Sequence, residues 1–168
     1  MTIDDIPEKY KLKKNGIELV YSGKINTAME GCACSLASVS KELLEKIKLQ
    51  DKEFIVVDTE AGVEHFGRGI EKGIDTVIAV SEPYLDSIEV AELVIKLAKE
   101  MGKKTHLIIN KVPFEFKESV KEVFSKRGIK PAGMLYFYND VYKSSILGQK
   151  PKINRVIADM NEILKNIF

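Results

Sequence analysis

Residues 53–69, EFIVVDTEAGVEHFGRG, decide how the rest of the chain is read. Glu53 to Val57 has the pattern of a buried strand that delivers an acid, Asp58, onto a turn. The turn passes through Gly62 and runs into a helix start at Glu64 and His65. An apolar run of this length, ending in an acid and small residues, belongs in a parallel sheet, where strands are covered on both faces. Ligands of open parallel sheets bind just beyond the carboxyl ends of the strands. Asp58, Glu60, Glu64 and His65 therefore stand where chemistry is expected. The plainer reading is a strand followed by solvated acids.

Working outward, strand-like and helix-like stretches alternate. Towards the N-terminus, 36–48 carries Leu36, Val39, Leu43, Leu44 and Ile47 at helical spacing, with Ser35 as the N-cap. Before it, 16–25 reads as a strand around Ile17, Leu19, Val20 and Tyr21, and the polar residues 1–15 read as an arm. Towards the C-terminus, 65–72 is expected as a short helix stopped by Gly73, and 75–80, DTVIAV, as another buried strand whose end, Ser81-Glu82-Pro83, is a further candidate site loop. A helix over 86–101 buries Ile88, Ala91, Leu93, Val94, Leu97 and Ala98 and stops at Gly102. Then follow a strand at 104–112, a helix at 115–127, a strand at 132–137, a short helix at 140–147 and a terminal amphipathic helix at 152–167. Such alternation implies crossover connections. The fold class expected is α/β, three layers, with a mostly parallel sheet and helices on both faces. No repeat or linker interrupts 1–168, which reads as a single domain.

The 168 residues suffice for one core, with 45% hydrophobic and 30% charged residues. Net charge is +1, from 26 basic and 25 acidic residues, which argues against a nucleic-acid partner. No apolar stretch is long enough to span a bilayer, and the first residues lack the apolar core of a signal peptide, so no membrane association and a cytoplasmic location are expected.

Cys32-Ala33-Cys34 is the sharpest local feature. Two thiolates suit a soft metal, but structural zinc takes four ligands. Two copies about a two-fold axis would supply four sulfurs, which points to a metal shared across a homodimer. Zinc is the default occupant, with nickel the choice where the sulfurs lie near a plane. A redox pair, or two small buried residues at a helix start, are the competing readings. Asn110-Lys111, directly after a strand, is the second signal. An Asn amide donates and accepts at once and can match a purine edge, while a Lys stem can lie along the base. Asp58 stands where a nucleotide hydrolase places the acid that orients magnesium. That role needs a G-x-x-x-x-G-K-[ST] loop, and residues 1–168 contain none. Of the two histidines, His106 lies within a strand pattern and reads as structural, and His65 is the functional candidate.

Together these residues are more specific than any one of them. DTEAGVEHFGRG, 58–69, resembles the Walker B and switch II region of the CooC family of carbon monoxide dehydrogenase maturation ATPases, in the MinD/ArsA-type deviant P-loop group. GCAC, 31–34, is similar to that family's Cys-x-Cys segment, SEPYLDSIEVA, 81–91, to the segment after its next strand, and NKV, 110–112, to its base-recognition motif. The resemblance runs from about Asp4 to the C-terminus. It implies a dimeric P-loop NTPase-like domain that couples ATP to nickel insertion. Cys32 and Cys34 would ligate metal at the interface. Asp58, with Glu60, would serve the magnesium side, and Asn110, with Lys111, would meet the adenine.

The departure is the family's phosphate loop, whose strand and helix precede the part matched here. The resemblance thus implies a truncated P-loop domain, with ATP and magnesium bound only if a phosphate-loop segment is supplied. No catalytic residue is assigned. The expected function is a P-loop-less relative of the nickel-insertion ATPases, with metal held by a Cys-x-Cys pair in a homodimer and a metalloenzyme as client. The alternatives are one part of a split ATP-binding protein needing a separate P-loop chain, or a non-enzymatic interaction domain. In the family the loop-bearing strand lies beside the Walker B strand. Without it, the strands at 53–57 and 75–80 are expected to close up and pair directly.

Overall fold

The computed structural model describes residues 1–21, 34–59, 62, 63, 66 and 69–168, with 34–37, 70 and 71 described in backbone only. The chain divides into two compact units, Met1–Asp75 and Thr76–Phe168.

In the first unit, short 3-10 turns at Ile3–Asp5 and Glu8–Tyr10 lead into β1 (Lys11–Lys14), which pairs antiparallel with β2 (Ile17–Val20). Asn15 and Gly16 both adopt positive φ, 52° and 77°, the conformation of a type I′ turn. Residues 1–15 are therefore not a plain arm. Asn-Gly between two strand-like runs is the signal for that hairpin. Helix α1 (Cys34–Lys46) follows, close to its expected span. A 3-10 turn at Ile70–Gly73 packs on it, and only a glycine fits at its end, because a Cβ on Gly73 would lie 2.8 Å from the backbone carbon of Leu44.

Residues 53–59 form no strand. Phe54 and Val56 are 82% and 80% exposed. This corrects the expected buried strand at 53–57 and its direct pairing with 75–80. The reason is physical: a strand is completed by a neighbour's hydrogen bonds and by cover on its faces, and this run has neither among the described residues. The expected helix at 65–72 survives in description as the turn at Ile70–Gly73, the rest lying largely outside the described residues.

The second unit is a three-stranded parallel sheet in the order β3 (Thr76–Ser81), β4 (Lys104–Val112), β5 (Gly133–Tyr136). Helix α2 (Leu85–Glu100) connects β3 to β4, and α3 (Lys117–Lys126), entered through a 3-10 turn at Phe114–Phe116, connects β4 to β5. Then come α4 (Asn139–Ile146) and α5 (Asn154–Leu164). All these elements lie within a few residues of their expected spans. Ser81 meets Ser87 of α2 side chain to side chain, Oγ to Oγ at 3.2 Å, so Ala79, Ser81, Leu107 and Ile109 share the face under α2. Ile108 and its register partner Gly133 point the other way. A Cβ on Gly133 would come within 2.5 Å of Ile163 Cγ1 on α5, so α5 covers that opposite face. The helices flank the sheet on both sides, as expected. The core is Ile88, Ala91, Val94 and Ala98 of α2, Leu107, Ile108, Ile109 and Val112 of β4, Val120 and Phe124 of α3, and Ile163 of α5. No described helix is long and apolar enough to cross a membrane.

Candidate functional site

The carboxyl ends of β3 and β4 bring together Glu82, Asn110 and Lys111. The β4–β5 register shifts between Ile109 and Val112, so Asn110 and Lys111 sit on a bulge. Lys111 has φ of 54°, a left-handed conformation that such bulges usually give to glycine. The Lys111 N–H donates to Oδ1 of Asn110 at 3.0 Å. The Lys111 ammonium donates across to Glu82 Oε1 at 2.5 Å, joining the ends of two adjacent strands. That carboxylate raises the Lys111 pKa above its ordinary value, first by the hydrogen bond and then by its charge. Both side chains remain partly solvated, 54% exposed for Lys111 and 36% for Glu82, so the pair contributes little to stability.

Glu82 is in turn fixed from α2. Its N–H donates to Ser87 Oγ at 3.0 Å, and its carbonyl accepts from the buried Ser81 hydroxyl at 2.9 Å. Aromatic rings follow each strand end. Phe114 tilts against Tyr136 at 5.2 Å, Phe137 lies 5.5 Å from Tyr142, and Lys117 lies 4.7 Å over Phe114. A groove of about 510 Å³ lies elsewhere. Thr105, His106 and Leu107 place it at the amino half of β4, with Lys96, Lys99 and Arg127 around it. His106 lies there, half-buried.

The residues expected at the site divide three ways. Asn110 and Lys111 stand together at a strand's carboxyl end. Asp58 is an exposed residue of the non-strand segment 53–59. Cys32, Glu60, Glu64 and His65 lie outside the described residues, and Cys34 opens α1 in backbone only. Among the described residues no group of three or more His, Cys, Asp or Glu could hold a metal ion. Glu82 belongs to Ser81-Glu82-Pro83, the strand-end segment expected as a further candidate site loop, and its ion pair with Lys111 is what the sequence did not specify.

The fold is that of the MinD-type P-loop NTPase class. A chain of the MinC:MinD cell division protein complex from Aquifex aeolicus superposes with a TM-score of 0.64 over 95% of this chain and 65% of its own, at 18% identity. Two proteins of Methanocaldococcus jannaschii, the uncharacterized ATP-binding proteins MJ0084 and MJ0823, are each 34% identical over 98% of this chain. The carbon monoxide dehydrogenase accessory protein CooC of Rhodospirillum rubrum is 39% identical over 103 residues, 61% of this chain and 39% of CooC. No family model matches the chain. Within its class, the chain is a CooC-like protein. It spans 65% of the length of MJ0084 and of MJ0823.

Proposed function

We propose that residues 1–168 supply the base-binding side of an ATP site in a CooC-like accessory protein, the phosphates being held by a segment outside these residues. The observation that carries this reading is the pairing of Lys111 with Glu82 across the ends of β4 and β3, with Asn110 on the bulge beside it. Strand carboxyl ends are where α/β sheets take ligands. An Asn amide and a Lys stem suit a purine. Kinship over 98% of the chain with proteins named as ATP-binding supports the choice of nucleotide. Adenosine, which has a base but no phosphates, is the direct probe. It should bind weakly to the wild-type chain, and Asn110→Ala should weaken it about tenfold, a loss on the scale of one hydrogen bond. Equal binding to both proteins would reject this site.

A second reading concerns metal. Cys32 and Cys34 of two copies would enclose one zinc or nickel ion at a homodimer interface, and a metalloenzyme would be the client. The Cys-x-Cys spacing and the accessory-protein name of the Rhodospirillum relative support it. Metal content measured together with oligomeric state tests it. One metal per two chains, lost along with the dimer in Cys32→Ala with Cys34→Ala, is expected. A metal-free protein whose assembly ignores both cysteines would reject it and favour an interaction domain.

A further inference from the structure

We propose that Glu82 is the positioning residue of the base site: by taking the Lys111 ammonium across the ends of β3 and β4, it holds the bulge so that Asn110 presents its amide nitrogen outward. The inference rests on the base-site reading and adds to it a residue on a different strand. Three observations carry it. Lys111 is one of only three described non-glycine residues at positive φ, and the only one in the second unit, where its bulge interrupts the β4–β5 register. The Asn110 Oδ1 accepts the Lys111 N–H, which fixes the direction of the amide, and its Nδ2 has no partner among the described residues and is left as a donor. That fits a ring-nitrogen acceptor on a purine edge. Finally, the Ser81 and Ser87 hydroxyls hold both polar main-chain atoms of Glu82, so its side chain springs from a fixed point of backbone and reaches Lys111 from there.

Local geometry makes the coupling specific. A non-glycine residue in the left-handed region needs surrounding structure to hold it there. Val112 re-enters the ladder opposite Tyr136, and the Phe137 N–H donates to the Val112 carbonyl at 2.9 Å, which fixes the bulge from its carboxyl side. Glu82 fixes the Lys111 side chain from the β3 side. With that tie cut, Lys111 can swing and the Asn110–Lys111 turn can open.

The test uses the full chain, ¹⁵N-labelled, with two readouts: exchange of the Lys111 amide, and the affinity for adenosine. Glu82→Gln keeps the shape and removes the charge. It should speed Lys111 amide exchange and weaken adenosine about two- to fivefold, the range of an exposed ion pair. Lys111→Met keeps the stem and removes the ammonium. In that background Glu82→Gln should have no further effect on either readout, which is the signature of action through Lys111. Equal losses in both backgrounds would place Glu82 in direct contact with the ligand and overturn the positioning role. An exchange rate unchanged by Glu82→Gln would overturn it as well. Loss of adenosine binding is not the same failure. A wild-type chain that binds no adenosine, while Lys111 exchange still depends on Glu82, would reject the base-site reading and confirm Glu82 as the holder of the bulge.

Discussion

Gly73 and Gly133 show how single hydrogen atoms set the packing of helices in this chain. At Gly73 the obstacle to a side chain is backbone: a Cβ would sit 2.8 Å from both the carbonyl carbon and the Cβ of Leu44 in α1. At Gly133 the obstacle is Ile163 Cγ1, 2.5 Å away, on a residue only 2% exposed. A buried branched side chain can turn to another rotamer; a helix backbone can only shift as a body. Gly73→Ala should therefore destabilise the chain at least as much as Gly133→Ala, each by about 1–3 kcal/mol, the usual cost of overpacking. Urea denaturation of the two variants checks the order. A neutral Gly73→Ala would show that the turn at Ile70–Gly73 does not press on α1.

At the scale of elements, α4 and α5 are joined by one polar contact with a pH signature. Tyr138, which precedes α4, donates its hydroxyl to Asp159 Oδ2 of α5 at 2.7 Å. Desolvation first, then the hydrogen bond to Asp159, pushes the phenol up from 10.0 to about 12. The folded state thus keeps a proton that the unfolded chain releases at lower pH. The stabilisation is complete below about pH 10 and is lost as pH rises towards 12. Tyr138→Phe should cost about 1 kcal/mol at neutral pH and should flatten the decline in stability above pH 10. Thermal melts of both proteins from pH 8 to pH 11.5 test it. A parallel decline in the two would assign the alkaline loss to other groups.

Elements also show what was legible in the sequence and what was not. β4 was readable to the residue, because Leu107, Ile108 and Ile109 are an apolar run covered on both faces by helices that the same sequence encodes. α2 was readable because Ile88, Ala91, Val94 and Ala98 repeat at helical spacing and are buried, whereas Leu93, expected with them, is 42% exposed and Leu97 half-buried. Residues 53–57 carry an equally apolar pattern and form no strand, because strand formation depends on a neighbour that no local pattern encodes. The β1–β2 hairpin, by contrast, was encoded in Asn15-Gly16. At the site, Asn110 and Lys111 were legible as a strand-end pair. Glu82 was legible only as part of a candidate loop, since its ion pair depends on a residue 29 positions away.

At the scale of the molecule, both edges of the three-stranded sheet, β3 and β5, are unpaired among the described residues, and β3 is the one with exposed apolar side chains beside it. β3 is an edge strand, paired with β4 alone among the described residues. On its face away from α2, Ile78 and Val80 are 41% and 59% exposed. An edge of this kind is a template for another strand, and proteins seldom leave one apolar and uncovered. If the phosphate-holding segment is a strand, loop and helix from outside residues 1–168, this edge is where a parallel strand can add and Ile78 and Val80 are what its helix can cover. Supplying such a segment with a G-x-x-x-x-G-K-[ST] loop should raise the melting temperature and permit ATP binding. Val80→Lys should abolish both effects while leaving adenosine binding intact, because Val80 pairs with Ile108 within the sheet, whereas Glu82, Asn110 and Lys111 stand at the carboxyl ends of β3 and β4. A segment that restores ATP binding equally well to the Val80→Lys chain would show that it docks elsewhere. A segment that restores nothing to the wild type would leave the strand-end site without a phosphate partner and shift the balance towards a surface used for protein contacts.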